Sequence, residues 1–123
     1  MLETIQGKAS NAELAEMSKN RLAQSLEMIR HLRSNPIGKS IIQLQILQSV
    51  ERRITTVLAF FKDMTFRDEN EETTTIVYNL YSFAGNVTIV IGNFNANRLD
   101  ECLDRVNKRI CDFIVLPSSV VHS

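Results

Sequence analysis

The chain has 123 residues, 44% of them hydrophobic and 23% charged, with 14 basic side chains balancing 14 acidic ones. That length fits one domain able to bury about two-thirds of its unfolded surface, and the composition is that of an ordinary soluble globular protein. A nucleic-acid binder carries a basic excess or a basic stripe. Here the short clusters Arg52–Arg53 and Arg105–Arg109 have acids beside them and the formal net charge is zero, so nucleic acid is not an expected partner.

Residues 1–9 lack periodicity and are expected to form a flexible arm. Ser10 or Asn11 can cap a first helix near 11–33, with Glu13 spaced for a capping box from Ser10. Its apolar residues are Leu14, Met17, Leu22, Leu26, Ile29 and Leu32. Asn35 precedes a proline and so avoids helical geometry, and Pro36 can open a second helix near 37–62. The main stripe there is Leu44, Leu47, Val50, Ile54, Val57 and Phe61. A charged loop, Thr65 to Asn70, leads to a third segment near 71–94. Thr73 to Tyr78 and Val87 to Ile91 are rich in strand-favouring residues. The helical period nevertheless holds across the whole segment through Ile76, Leu80, Phe83, Val87, Ile91 and Phe94, so a helix is expected. Asn97 can cap a last helix near 97–115 carrying Leu99, Leu103, Val106, Ile110 and Phe113, which Pro117 stops. Residues 117–123 are expected to be a disordered tail.

Four helices with short connections predict an all-α antiparallel four-helix bundle over 10–116. Its core should include Leu26, Leu47, Ile54, Leu80, Val87, Leu103, Val106 and Ile110. The second and third helices carry more apolar surface than one stripe needs. At ~100° per residue, Ile42, Ile46 and Phe60 fall off the main stripe of the second helix. On the third, Tyr78, Tyr81 and Ile89 leave the core line beside Gly85 and Gly92. A helix apolar on two sides must bury both, against another helix of its own chain or against another chain. Glycines inside a helix cost roughly 1 kcal/mol each relative to alanine, and close approach of a second helix is their commonest use. The expected client-binding set is therefore Ile42, Ile46, Phe60, Tyr78, Tyr81, Gly85, Ile89 and Gly92, shaped for an amphipathic segment.

Chemistry is hard to find. Gly38-Lys39-Ser40 resembles the end of a phosphate loop, but Arg33 stands where the first glycine belongs and a helix replaces the preceding strand. His31 and His122 are far apart, and no Cys, His and carboxylate set has metal-ligand spacing. Cys102 and Cys111 lie nine residues apart on one expected helix, ~13 Å at helical rise, too far for a disulfide within it. No catalytic residue, metal or cofactor is expected, and an enzyme is not. Met1 to Ile5 is too polar for a secretory leader and no apolar run of membrane-spanning length stands out, so a cytoplasmic protein without membrane insertion is expected.

Three stretches carry a family likeness. Ser10-Asn11-Ala12-Glu13-Leu14-Ala15-Glu16-Met17 is similar to a Ser-Pro-x-x-Leu-x-x-Met helix opening. Tyr78 to Tyr81 resembles an aromatic Leu-Tyr segment. Gly92-Asn93-Phe94-Asn95, followed by Leu99-Asp100-Glu101-Cys102-Leu103, is similar to an Ala-Asn turn with an acidic-apolar last helix. In order and spacing they resemble the flagellar export chaperones of the FliS family, over roughly residues 10–114, as a divergent member or paralogue. Asn11 replaces the family's proline, Ser18-Lys19 a Leu-Tyr pair, and Val87-Thr88 lies nearest its paired arginines. The resemblance implies a cytosolic chaperone that binds the aggregation-prone helical terminus of flagellin, or of a related flagellar protein, and holds it for type III export. The alternative is a self-associating helical interaction module, a homo-oligomer or a small subunit of a larger assembly.

Overall fold

The computed structural model describes residues 9–95. The expected fourth helix with Leu103, Val106 and Ile110, the tail, both cysteines and most of the arm lie outside the described residues. Within them are three α-helices, α1 (Asn11–Ser34), α2 (Ile41–Phe61) and α3 (Glu71–Asn95), and no strand.

Each helix starts on a side-chain cap. Ser10 Oγ accepts from Glu13 N–H at 3.2 Å, and Glu13 accepts from Ser10 N–H at 2.9 Å, the reciprocal box that its spacing predicts. Ser40 and Gln43 repeat the device at α2, at 3.1 and 2.9 Å. Asn70 Oδ1 accepts from Thr73 N–H at 2.8 Å at the head of α3, where Glu71 and Glu72 complement the positive end of the helix dipole. The second helix begins at Ile41 rather than next to Pro36. Gly38 has φ +80°, which no helix admits, and Lys39 N–H closes a turn onto Pro36 O at 3.1 Å. That is the geometry of a type II turn with glycine at its third position. Gly38-Lys39-Ser40 thus turns the chain and caps α2, and Lys39 Nζ donates to Asn35 O at 2.7 Å.

α1 packs against both other helices, which barely touch each other. It runs antiparallel to α2, since Lys19 near its start reaches Met64 O beyond the end of α2. It runs parallel to α3: Asn11 meets Asp68, Glu69 and Thr74 at one end, and Met28 and Leu32 lie beside Ile91 and Asn95 at the other. The buried face of α1 is Asn11, Ala15, Ser18, Leu22, Ser25, Leu26 and Ile29. Small side chains there let neighbouring helices come close. Met17, one of the apolar residues of the first helix, is exposed, because at ~100° per residue it lies ~140° from Leu22 whereas Ala15 and Ser18 lie within ~40°. Leu26, Leu47, Ile54, Leu80 and Val87 are buried as predicted.

Two features tie down the α2–α3 connection, which the sequence marks only as charged. Phe66 is buried and packs on Phe61, ring centroids 5.8 Å apart. The buried Asn11 side chain donates to Asp68 O at 2.9 Å and to Thr74 Oγ1 at 3.0 Å, and its backbone N–H donates to Glu69 at 3.1 Å. Asn11→Ala should lower stability by ~1–3 kcal/mol, because it strands part-buried acceptors. Urea unfolding would measure that loss, and an unchanged midpoint would show the clamp to be idle.

On the outer side of the α1–α2 contact, Glu51 accepts from Arg33 and, at 3.2 Å, from Arg30 Nε. The hydrogen bond from Arg33, opposed by partial burial and aided by Arg30, holds the Glu51 carboxyl below its ordinary 4.5. A depressed carboxyl contributes stability that is full above 4.5 and is lost as pH falls through the lower folded value. The stability gap between the wild type and Glu51→Gln should therefore shrink on acidification below 4.5. Both arginines are about half exposed, so solvent screening should hold the gap at neutral pH under about 1 kcal/mol.

Candidate protein-docking face

α3 buries Val77, Leu80, Phe83, Ala84, Val87, Val90 and Ile91 on one side. On the other, Tyr78, Tyr81 and Ile89 are 49, 38 and 47% exposed. With Gly85 and Gly92 they occupy an arc of ~80° on the helix wheel. From Thr73 to Asn97 the chain holds no charged residue. A helix face turned to water normally carries charges. This one carries aromatic, aliphatic, hydroxyl and glycine positions instead.

A Cβ built on Gly85 or Gly92 would meet nothing within 4 Å among the described residues. The glycines therefore do not admit a described helix of this chain; they leave the outer surface flat. Arg21 on α1 lies 5.9 Å from the centroid of the Tyr81 ring, a cation–π contact that holds the ring at the α1–α3 seam. Met17, Arg21, Gln24 and Met28 fall within an arc of ~60° on α1, which places them on the same flank as that contact. Met17 and Met28 are exposed. This rim was not among the expected site residues, although the wheel angles that exclude Met17 from the core reveal it. Beside Met28 a shallow hollow of about 260 Å³ is lined by Glu27, His31, Leu32, Ile91 and Asn95.

Three of the eight expected positions do not join this face. Ile46 is 5% exposed and belongs to the core. The buried arc of α2 centres on Val50 and Val57 rather than on Leu44, and Ile46 lies only ~40° from Val50. Phe60 is half-buried, its ring edge-on to Phe61 at 5.0 Å, so the aromatic cluster of this chain already covers much of it. Ile42 is exposed but sits on α2, apart from the face on α3. Tyr78, Tyr81, Gly85, Ile89 and Gly92 remain, and the structure brings these five together.

Elsewhere, Ser49, Arg52, Arg53, Thr56 and Val57 line an open hollow of about 230 Å³ on α2. Among the described residues, no group of three or more His, Cys, Asp or Glu side chains could hold a metal ion. By length and composition α3 is apolar enough to cross a membrane, contrary to the expectation from sequence. Its apolar length here serves a buried side against α1 and an open side with aromatic residues.

No family model, curated protein or solved structure matches this chain. The likeness to the FliS family therefore stands on the quoted stretches. Ser10 to Met17 forms the capped opening of α1 and Tyr78 and Tyr81 lie on the open side of α3, whereas Gly92 to Asn95, likened to a turn, continue α3 as helix.

Proposed function

We propose that this chain is a protein-binding helical bundle whose α3 face, rimmed by α1, takes an amphipathic helical segment of a client. The observation that carries the reading is the uncharged, half-exposed stripe of Tyr78, Tyr81, Gly85, Ile89 and Gly92. An amphipathic helix laid along it would find aromatic anchors at the spacing of helical turns and room over the two glycines. In its specific form the proposal is a cytosolic export chaperone in a four-helix bundle, with 97–115 as the last helix. Its client is the helical terminus of flagellin or a related flagellar protein, kept from polymerising until export. The resemblance supplies the client, and the face supplies somewhere to hold it. Binding of this kind folds the client as it docks, and the ordering cost keeps the complex releasable.

The test is titration of the C-terminal segment of flagellin against the wild type, Tyr78→Asp and Ile89→Asp. In the free protein each new carboxylate stays in water and the melting temperature should hold. In the complex it would be desolvated without a partner, at several kcal/mol, so binding should weaken at least ~100-fold. Undiminished binding by both variants would remove α3 as the docking face.

A further inference from the structure

The stripe on α3 is symmetric about one residue. Counted from Gly85, its positions are Tyr78 at −7, Tyr81 at −4, Ser82 at −3, Thr88 at +3, Ile89 at +4 and Gly92 at +7. Offsets of 3, 4 and 7 to either side share one face of any helix, so what distinguishes this stripe is which residues fill the mirrored positions. When two identical helices cross antiparallel on a two-fold axis at Gly85, each residue meets the mirror position of its partner. Tyr78 then faces Gly92, Tyr81 faces Ile89, Ser82 faces Thr88, and Gly85 faces Gly85. The largest side chain lands on an open glycine, the hydroxyls pair with each other, and the backbones approach closest at the axis. We infer that the occupant of this face, when no client is present, is the same face of a second copy of this chain, antiparallel, with the two-fold axis at Gly85.

Charge and area agree with that occupant. A two-fold axis brings like charges together wherever a stripe is charged near its centre, and from Thr73 to Asn95 α3 has no charge. Tyr78, Tyr81 and Ile89, with Met17 and Met28 beside them, are each roughly half exposed. With the small residues between them they offer on the order of 600 Å² per chain, somewhat below the ~800 Å² per partner of a standard interface. That area suits a dimer that dissociates at micromolar concentrations and yields its face to a client. The inference concerns the same face as the proposed function but does not depend on what the client is.

Sedimentation equilibrium of the full chain over a range from about 1 to 300 µM is the first measurement. The expected result is a reversible shift from 14.0 kDa toward twice that mass. Gly85→Leu adds a side chain where nothing of the described chain stands within 4 Å, so the helical signal should persist while the dimer weakens at least tenfold. Register is read by cysteine cross-linking in a Cys102→Ser, Cys111→Ser background. Gly85→Cys should cross-link to itself, and Tyr78→Cys should cross-link to Gly92→Cys. Tyr78→Cys should not cross-link to its own copy, ~21 Å away along an antiparallel pair. A monomer at every concentration, a dimer that Gly85→Leu does not loosen, or a Tyr78-to-Tyr78 cross-link each overturns the inference. A monomer that still binds flagellin would leave the proposed function standing. A dimer of this register that ignores flagellin would count against the client alone.

Discussion

Ile46→Asp is expected to unfold the protein or bring it close to unfolding, while Ile42→Asp, one turn earlier on α2, should leave it intact. Ile46 is 5% exposed and Ile42 is 55% exposed. Burying a carboxylate without a partner costs several kcal/mol, and loss of the isoleucine's own burial adds ~1.5–3 kcal/mol. Together these approach the whole ~5–15 kcal/mol that keeps a domain folded. At Ile42 the new carboxylate would stay in water in the first turn of α2, where a negative charge meets the positive end of the helix dipole. Its urea midpoint should match or slightly exceed the wild type. Far-UV circular dichroism of the two variants in urea gives both answers. If Ile46→Asp unfolds with the wild-type midpoint, the buried face of α2 has been assigned to the wrong side.

The positions of the three described helices were legible because their signals are local. Ser10 with Glu13 and Asn70 with Glu71 and Glu72 mark helix starts that depend on residues within one turn. The start of α2 was misplaced because two local signals competed. Pro36 is compatible with a helix start, but the positive φ of Gly38 and the Ser40–Gln43 box settle it four residues later. Which face points inward was less legible. Met17 stands among the apolar residues of the first helix yet stays exposed, whereas α1 lies between two helices and buries its small residues, Ala15, Ser18 and Ser25. That shared position is set by tertiary contacts and leaves no signal in any single helix. The site divided the same way. Tyr78, Tyr81, Gly85, Ile89 and Gly92 share one helix and could be assembled by angle alone. Ile46 and Phe60 depend on what α1 and the Phe61–Phe66 cluster cover. Asn11 and Phe66 were illegible for the same reason, since their partners lie far away in the chain.

Leu22→Ala should be the most damaging of the conservative truncations, because α1 serves two helices at once. Leu22 has no exposed surface and sits at the middle of the α1 face between Ala15, Ser18, Ser25 and Ile29. α2 and α3 scarcely contact each other directly, so a cavity under Leu22 would loosen the element that holds both in place. Small neighbours make it worse: Ala15, Ser18 and Ser25 have little side chain with which to fill the space. A leucine truncation costs ~2.7 to 5 kcal/mol, rising with the cavity that remains, and the upper half of that range is expected here. Val57→Ala, on the outer neighbour α2, removes less volume beside larger side chains and should cost ~1–2 kcal/mol. Urea unfolding of both variants measures the difference. The docking face adds a second readout. Tyr81 is held at the seam by Arg21, one residue before Leu22, so a loosened α1 should weaken client binding as well as stability. Val57→Ala should spare binding under conditions where both variants remain folded. Equal losses of stability in the two variants would mean that α1 is no more central than its neighbour.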